Sequence, residues 1–339
     1  MTKKKSFLPM LAAIVGVVLA SCSCGSCRGT AKTAAGADTV ALVGPTFCAD
    51  SAYAFAAKQC SFGERIMNSE AHDRCGEWIM SIFRKYGLDV QAQDANLKGW
   101  DGTTLRSRNI IARLHPERTE RVLLCAHWDS RPWADNDPDS TAWRKPVMAA
   151  NDGASGVAVM LELARVLHAD TTLKVGIDFV CFDAEDWGTP RWADTGTDDS
   201  DTWALGAQYW AEHLADGHNL KYGILLDMVG GQGARFFQEG VSKQYADDIV
   251  ARVWNTAAAI GYGSYFPMQT GGMITDDHVP VNEKAGIPCI DIIPYYPDCQ
   301  QSSFGPTWHT INDTMEHIDP NTLKAVGQTM VQVLCTSAE

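Results

Sequence analysis

Two hydrophobic periods alternate along this chain. Short apolar runs crowded with β-branched and aromatic residues read as buried strands: Arg121–His127, Lys174–Val180, Tyr222–Asp227 and Ile287–Ile293. Two further strands are expected at Asp89–Ala95 and Arg108–Leu114. Between them apolar residues recur at helical spacing. One helix is expected from about Phe62 to Tyr86, with Ile66, Met67, Trp78, Ile79, Ile82 and Phe83 inward and Gly87 as its stop. Another begins near Gly156 and buries Val157, Met160, Leu161, Leu163, Ala164 and Leu167; others follow at Ala204–Leu214, Tyr245–Ile260 and Pro320–Leu334. This alternation predicts an α/β fold whose mixed, mostly parallel central sheet is covered by helices on both faces. No repeat or linker interrupts residues 46–339, which are expected to form a single domain.

The strand ends carry the chemistry. Cys181-Phe182-Asp183-Ala184-Glu185-Asp186-Trp187 follows one apolar run, and ligands bind at the carboxyl edge of such sheets. Adjacent carboxylates repel, so Glu185 and Asp186 call for a shared proton or a cation. The run before Ser130 ends His127-Trp128-Asp129, and another ends on Asp227. Asp152, in Asn151-Asp152-Gly153, precedes a helix, where a plain N-cap would explain it equally well. His309 follows Trp308 in a loop after the last strand. Oxygen and nitrogen donors in this mixture suit zinc, with one position left open in a catalytic site.

Charge narrows the partners. The 339 residues carry a formal net charge of -13, which argues against nucleic acid, since phosphate binding needs clustered Lys and Arg. The first residues run the other way: Lys3, Lys4 and Lys5 lead into an apolar run from Phe7 to Ala20, too short to span a bilayer comfortably and typical of a secretory signal. It ends Leu19-Ala20-Ser21-Cys22, which resembles a bacterial lipobox. Residues 1–21 are therefore expected to be a lipoprotein signal peptide, with Cys22 lipidated and residues 22–45, small and polar, as a flexible tether. The chain is expected to be exported and lipid-anchored in the cell envelope, facing the periplasm. Disulfides are permitted there, and sequence assigns no pairing to the eleven cysteines; Cys125 and Cys181 read as buried thiols.

The order H-x-D, N-D-G, E-[DE], a strand-end Asp and a final H-T resembles the co-catalytic zinc aminopeptidases. Within that superfamily, Thr275-Asp276-Asp277-His278-Val279-Pro280, and Trp308 directly before His309 with Phe304 upstream, are more similar to the zinc-dependent glutaminyl cyclases of the animal type. The resemblance implies one zinc held by Asp152, Asp186 and His309, Glu185 as proton shuttle, and Asp227 with Asp276 as a supporting acidic network. It also implies a substrate pocket lined by Trp308, Phe304 and Trp192, and substrates that are peptides or proteins with an N-terminal glutamine. Two departures stand out: the animal cyclases have Glu where Asp186 stands and His where Asp291 stands. The alternative is a di-zinc aminopeptidase that also uses His127 and Asp227. A non-catalytic surface lipoprotein is disfavoured, because it predicts a broken metal set and this one is intact.

Overall fold

In the computed structural model, which describes residues 40–337, six strands form one sheet. The expected signal peptide, Cys22 and the tether as far as residue 39 lie outside the described residues. The strands are β1 (Asp89–Lys98), β2 (Thr104–Leu114), β3 (Arg121–His127), β4 (Gly176–Phe182), β5 (Leu220–Leu226) and β6 (Cys289–Ile292), in the spatial order β1-β2-β4-β3-β5-β6. β1, β2 and β4 pair antiparallel, while β4, β3, β5 and β6 run parallel. The sheet is mixed and mostly parallel, as expected.

β3 and β4 are buried at every position, which is why they read as mostly apolar runs rather than as alternating ones; the charged residues within them, Arg121 and Asp178, pair with each other. Their residues alternate between two cores. Val122, Leu124, Ala126, Ile177, Phe179 and Cys181 face the larger one, and Leu123, Cys125, Val180 and Phe182 the smaller. Helices α1 (Ala49–Cys60), α2 (Glu70–Lys85), α3 (Ala154–Leu167), α5 (Gly240–Ala259) and α7 (Pro320–Cys335) supply the larger core. α4 (Leu205–Glu212) and α6 (His278–Glu283) supply the smaller. No helix among the described residues is long and apolar enough to cross a membrane.

Several boundaries differ from expectation, each for a local reason. The helix expected from Phe62 begins at Glu70, because Asn68 adopts a left-handed conformation and the Ser69 side chain accepts the His72 N–H as an N-cap. α5 begins at Gly240 rather than Tyr245, because Glu239 caps it through the N–H groups of Val241 and Ser242. α1, with its weak apolar stripe, is not among the helices expected from periodicity, and neither is the short α6. Residues 43–47 are tied to α7: Gln332 accepts the Val43 N–H at 2.8 Å and Gln328 the Phe47 N–H at 3.0 Å. The eight described cysteines are all unpaired, and Cys125 and Cys181 are buried thiols, as expected.

Candidate active site

Every group of interest lies past the carboxyl end of a parallel strand or in a loop leaning over it. His127 ends β3, Glu185 and Asp186 follow β4, and Asp227 follows β5. Asp152 precedes α3, where Gly153, not Asp152, occupies the cap position and makes no side-chain cap bond. The N-cap explanation of Asp152 therefore fails, and its carboxylate is free for other work. Left-handed residues mark the turns that aim these groups: Ala149 before Asp152, Ala184 before Glu185, Met228 after Asp227, and His309 itself. Such turns cost about 1–3 kcal/mol each in non-glycine residues and persist where the surroundings over-determine them.

Two aspartates the sequence reading left without a role supply that surrounding. The Asp129 carboxylate accepts the N–H groups of Glu185 at 3.1 Å and Asp186 at 3.2 Å, fixing the turn after β4. Asp313 does the same for Asn151 at 2.8 Å and Asp152 at 3.0 Å, joining the loop before α3 to the loop after His309. Burial, then the charge of Asp152, pushes the Asp313 carboxyl up to about 7. The signals were present as the third residue of H-x-D and the end of His309-Thr310-Ile311-Asn312-Asp313, but spacing alone did not say which backbone each would hold.

His309 Nε2 lies 3.1 Å from Asp186 Oδ1 and 3.5 Å from Asp152 Oδ2. Neither oxygen has a hydrogen-bond partner, although both are buried. Donor atoms that approach this closely without bonding one another point to a common third centre, and two tetrahedral zinc ligands at about 2.0–2.1 Å lie about 3.3 Å apart. The residues thus fit a metal ion. His127 Nε2 is engaged differently: it hydrogen-bonds Asp152 Oδ1 at 3.0 Å and lies 3.2 Å from Asp227 Oδ1. His127, Asp152 and Asp186 also bring donor atoms within 4.8 Å of one another. Behind each histidine stands a carboxylate facing Nδ1, Asp135 at 3.6 Å for His309 and Asp129 at 3.5 Å for His127. That arrangement orients imidazole ligands in metal sites. Arg131 holds Asp135 through two hydrogen bonds, at 3.0 and 2.7 Å.

The electrostatics divide the carboxylates. Burial alone would raise Asp186, but His309 outweighs it and holds the group down to about 2. Burial and the charge of Asp186 lift Glu185 well above the usual range. Burial, with the charge of Asp152, brings Asp227 to about 6 against the opposing pull of His127. Burial, then the charge of Asp227, brings Asp276 to about 7. Neighbouring acids are thus driven apart in proton affinity, the pattern that separates proton carriers from permanent anions.

These groups open into a cavity of about 350 Å³ lined by Asp152, Glu185, Asp227, Asp276, Phe304, Trp308 and His309, together with Trp203, Met273 and Ile274. Seven of the nine site residues expected from sequence line it, and Asp186 contacts His309 from beside it. Trp308 stacks on the His309 ring at 3.8 Å, with Phe304 at 4.7 Å from Trp308. Trp192 is not in the lining. It packs edge-on against Trp133 at 5.8 Å, under the Arg144 guanidinium at 3.6 Å. Trp203 takes the wall position instead, parallel to the His309 ring at 6.1 Å with the Arg131 guanidinium over it at 4.6 Å. Both tryptophans flank the same polar loop, and nothing in its sequence distinguishes them. Asp291, in β6, is fully buried and does not line the cavity.

Sheet topology and site together define an α/β protein with an imidazole–carboxylate centre of metal-binding type at the carboxyl edge of its parallel strands. The chain belongs to peptidase family M28, whose model matches residues 109–334. It is 30% identical over 250 residues to the aminopeptidase YwaD of Bacillus subtilis, an alignment covering 70% of this chain but only 46% of that one. It is 46% identical to the glutaminyl cyclase of Bacteroides thetaiotaomicron, solved with N-acetylhistamine, with a TM-score of 0.84 over 87% of this chain and 99% of that one. It is 49% identical to the Tannerella forsythia glutaminyl cyclase, with a TM-score of 0.83 over 86% of this chain and 99% of that one.

Proposed function

We propose that this protein is a glutaminyl-peptide cyclotransferase, converting the N-terminal glutamine of peptides or proteins to pyroglutamate with release of ammonia. The observation that carries the proposal is the joining of Glu185 and Asp276 to an aromatic wall, Phe304 and Trp308, in one cavity beside the metal-type cluster. The similarity to bacterial glutaminyl cyclases over nearly their whole length supports it.

Cyclisation needs the α-amine to attack the side-chain carbonyl of the same residue. Asp152, Asp186 and His309 would hold one zinc, which when bound supplies Lewis acidity toward that carbonyl. Phe304 and Trp308 pack the glutaminyl side chain in its folded-back conformer and exclude bulk water. Glu185, whose pKa is raised by burial, takes a proton from the attacking amine and returns it to the departing nitrogen. Asp276 and Asp227 face the cavity and stabilise the nitrogen as it gains a proton. The nucleophile belongs to the substrate, so no activated water is needed.

A second reading, a two-metal aminopeptidase, is favoured by one observation: His127 lies within 3.2 Å of both Asp152 and Asp227, leaving a second set of donors beside the first. A peptide beginning Gln-Phe separates the two. The cyclotransferase yields ammonia and a blocked peptide of unchanged residue count. Mass spectrometry showing free glutamine and a shortened peptide, with no blocked product, would overturn the proposal. We further propose that the chain is exported and anchored through a lipid on Cys22, on the strength of the Lys-rich start, apolar run and lipobox-like end.

A further inference from the structure

We propose that Glu239 is a positioning residue for this site, clamping the segment that carries Asp276 into the cavity wall. The proposal rests on the role given to Asp276 above. Glu239 itself does not line the cavity and is 2% exposed. Its carboxylate collects five donors. Oε1 accepts the N–H groups of Val241 at 2.7 Å and Ile274 at 2.9 Å. Oε2 accepts the Ser242 N–H at 2.6 Å and its hydroxyl at 2.7 Å, and lies 3.2 Å from His278 Nε2. Ser242 Oγ in turn accepts the Asp291 N–H at 2.9 Å, which ties the cluster to β6.

The segment 272–277 needs such a clamp. It has no sheet partner, and it supplies Met273, Ile274, Thr275 and Asp276 to the cavity. Apart from the bonds that begin α6, its described backbone is held from outside at two points: Gly272 O accepts the Gly240 N–H at 2.8 Å, and Ile274 N–H donates to Glu239. Asp276 meanwhile stands among acids. The carboxylates of Asp277 and Asp291 are fully buried with no hydrogen-bond partner on either oxygen, and burial raises both groups, to which the charge of Asp276 adds. The carboxyls of Asp277 and Asp291 thus make no hydrogen bond that could hold the segment, and its backbone must be fixed from elsewhere. Glu239 fixes it from the far side through Ile274 and His278, the residues two before and two after Asp276.

A double-mutant cycle tests this, read on cyclisation of a Gln-led peptide and on amide hydrogen exchange. Glu239→Gln is expected to lower kcat by roughly 10- to 10²-fold with zinc content unchanged and with faster exchange across 272–277. In an Asp276→Asn background the same change should add less than about twofold, because the group it positions is already gone. Losses that multiply in the double variant, or exchange across 272–277 that stays at the wild-type rate, would overturn the assignment. Should Glu239→Gln fail to fold, Glu239→Asp, which keeps the charge and the cap, takes its place in the cycle. Release of free glutamine by the wild type would instead overturn the proposed function; the cycle is then read on that release, with the same two outcomes deciding for or against the clamp.

Discussion

At the scale of single residues, Glu185 and Asp186 are chemically alike and one peptide bond apart, yet their surroundings drive them to opposite ends of the carboxylate range. His309 holds Asp186 as an anion, while burial and the charge of Asp186 keep Glu185 ready to accept a proton. Glu185→Gln should therefore retain fold and metal but lose turnover by about 10²-fold or more, the scale of a general acid–base group. A variant that turns over peptide at near the wild-type rate would show that the proton travels by another group, Asp227 being the nearest alternative. The metal is tested separately. Replacing Asp152, Asp186 or His309 by Ala should abolish zinc retention through dialysis, while His127→Ala should keep most of it, because His127 Nε2 is already hydrogen-bonded to Asp152 Oδ1. Elemental analysis of the wild type should give close to one zinc per chain, and two would favour the aminopeptidase.

At the scale of elements, the site depends on how closely α3 lies against the sheet. A Cβ built on Gly156 would fall 2.0 Å from the Leu226 carbonyl oxygen and 2.8 Å from Ala126 Cβ, so glycine alone permits this approach. Asp152 is carried just before that helix and Asp227 just after that strand, so the contact sets the spacing of two site carboxylates. Gly156→Ala should destabilise the protein by about 3 kcal/mol, the upper range for overpacking, and reduce zinc affinity alongside activity. Chemical denaturation and metal titration of the variant measure both. Unchanged stability would mean that α3 can shift without cost, contrary to the packing described. The sequence placed a helix start near this glycine, but only the position of Leu226 explains why the residue must be small.

For the molecule as a whole, the question is where it works. The proposed export and anchoring predict that the protein partitions with membranes and incorporates labelled lipid, and that Cys22→Ala releases it to the soluble fraction with catalytic activity intact. Wild-type protein recovered in soluble form, with a mature N-terminus elsewhere, would sink the idea. The tether expected over residues 22–45 is shortened at its inner end, since Gln328 and Gln332 of α7 hold residues 41–47. A tether is therefore proposed only up to about residue 40, five residues short of the boundary that composition suggested.

Much of this was legible along the chain because strand burial and strand-end chemistry are local properties. Buried parallel strands are mostly apolar, so β3 and β4 announced themselves despite the Arg121–Asp178 pair within them, and the polar residues that end these runs fell at the sheet edge where ligands bind. Glu185, Asp186 and Asp227 could thus be singled out as strand-end groups before any contact was known, while Asp152 and His309 were singled out by the order of the motifs in which they stand. What sequence left open was decided by three-dimensional convergence. Trp203 rather than Trp192 faces the cavity, because the loop between β4 and α4 folds one ring over His309 and the other against Trp133. Asp129 and Asp313 became clasps because their carboxylates met N–H groups 56 and about 160 positions away. Glu239 joined α5 to the Asp276 segment 35 positions on. A hydrogen bond between distant residues leaves no period and no fixed spacing in the chain, so only the closed fold could show which backbone each carboxylate would hold.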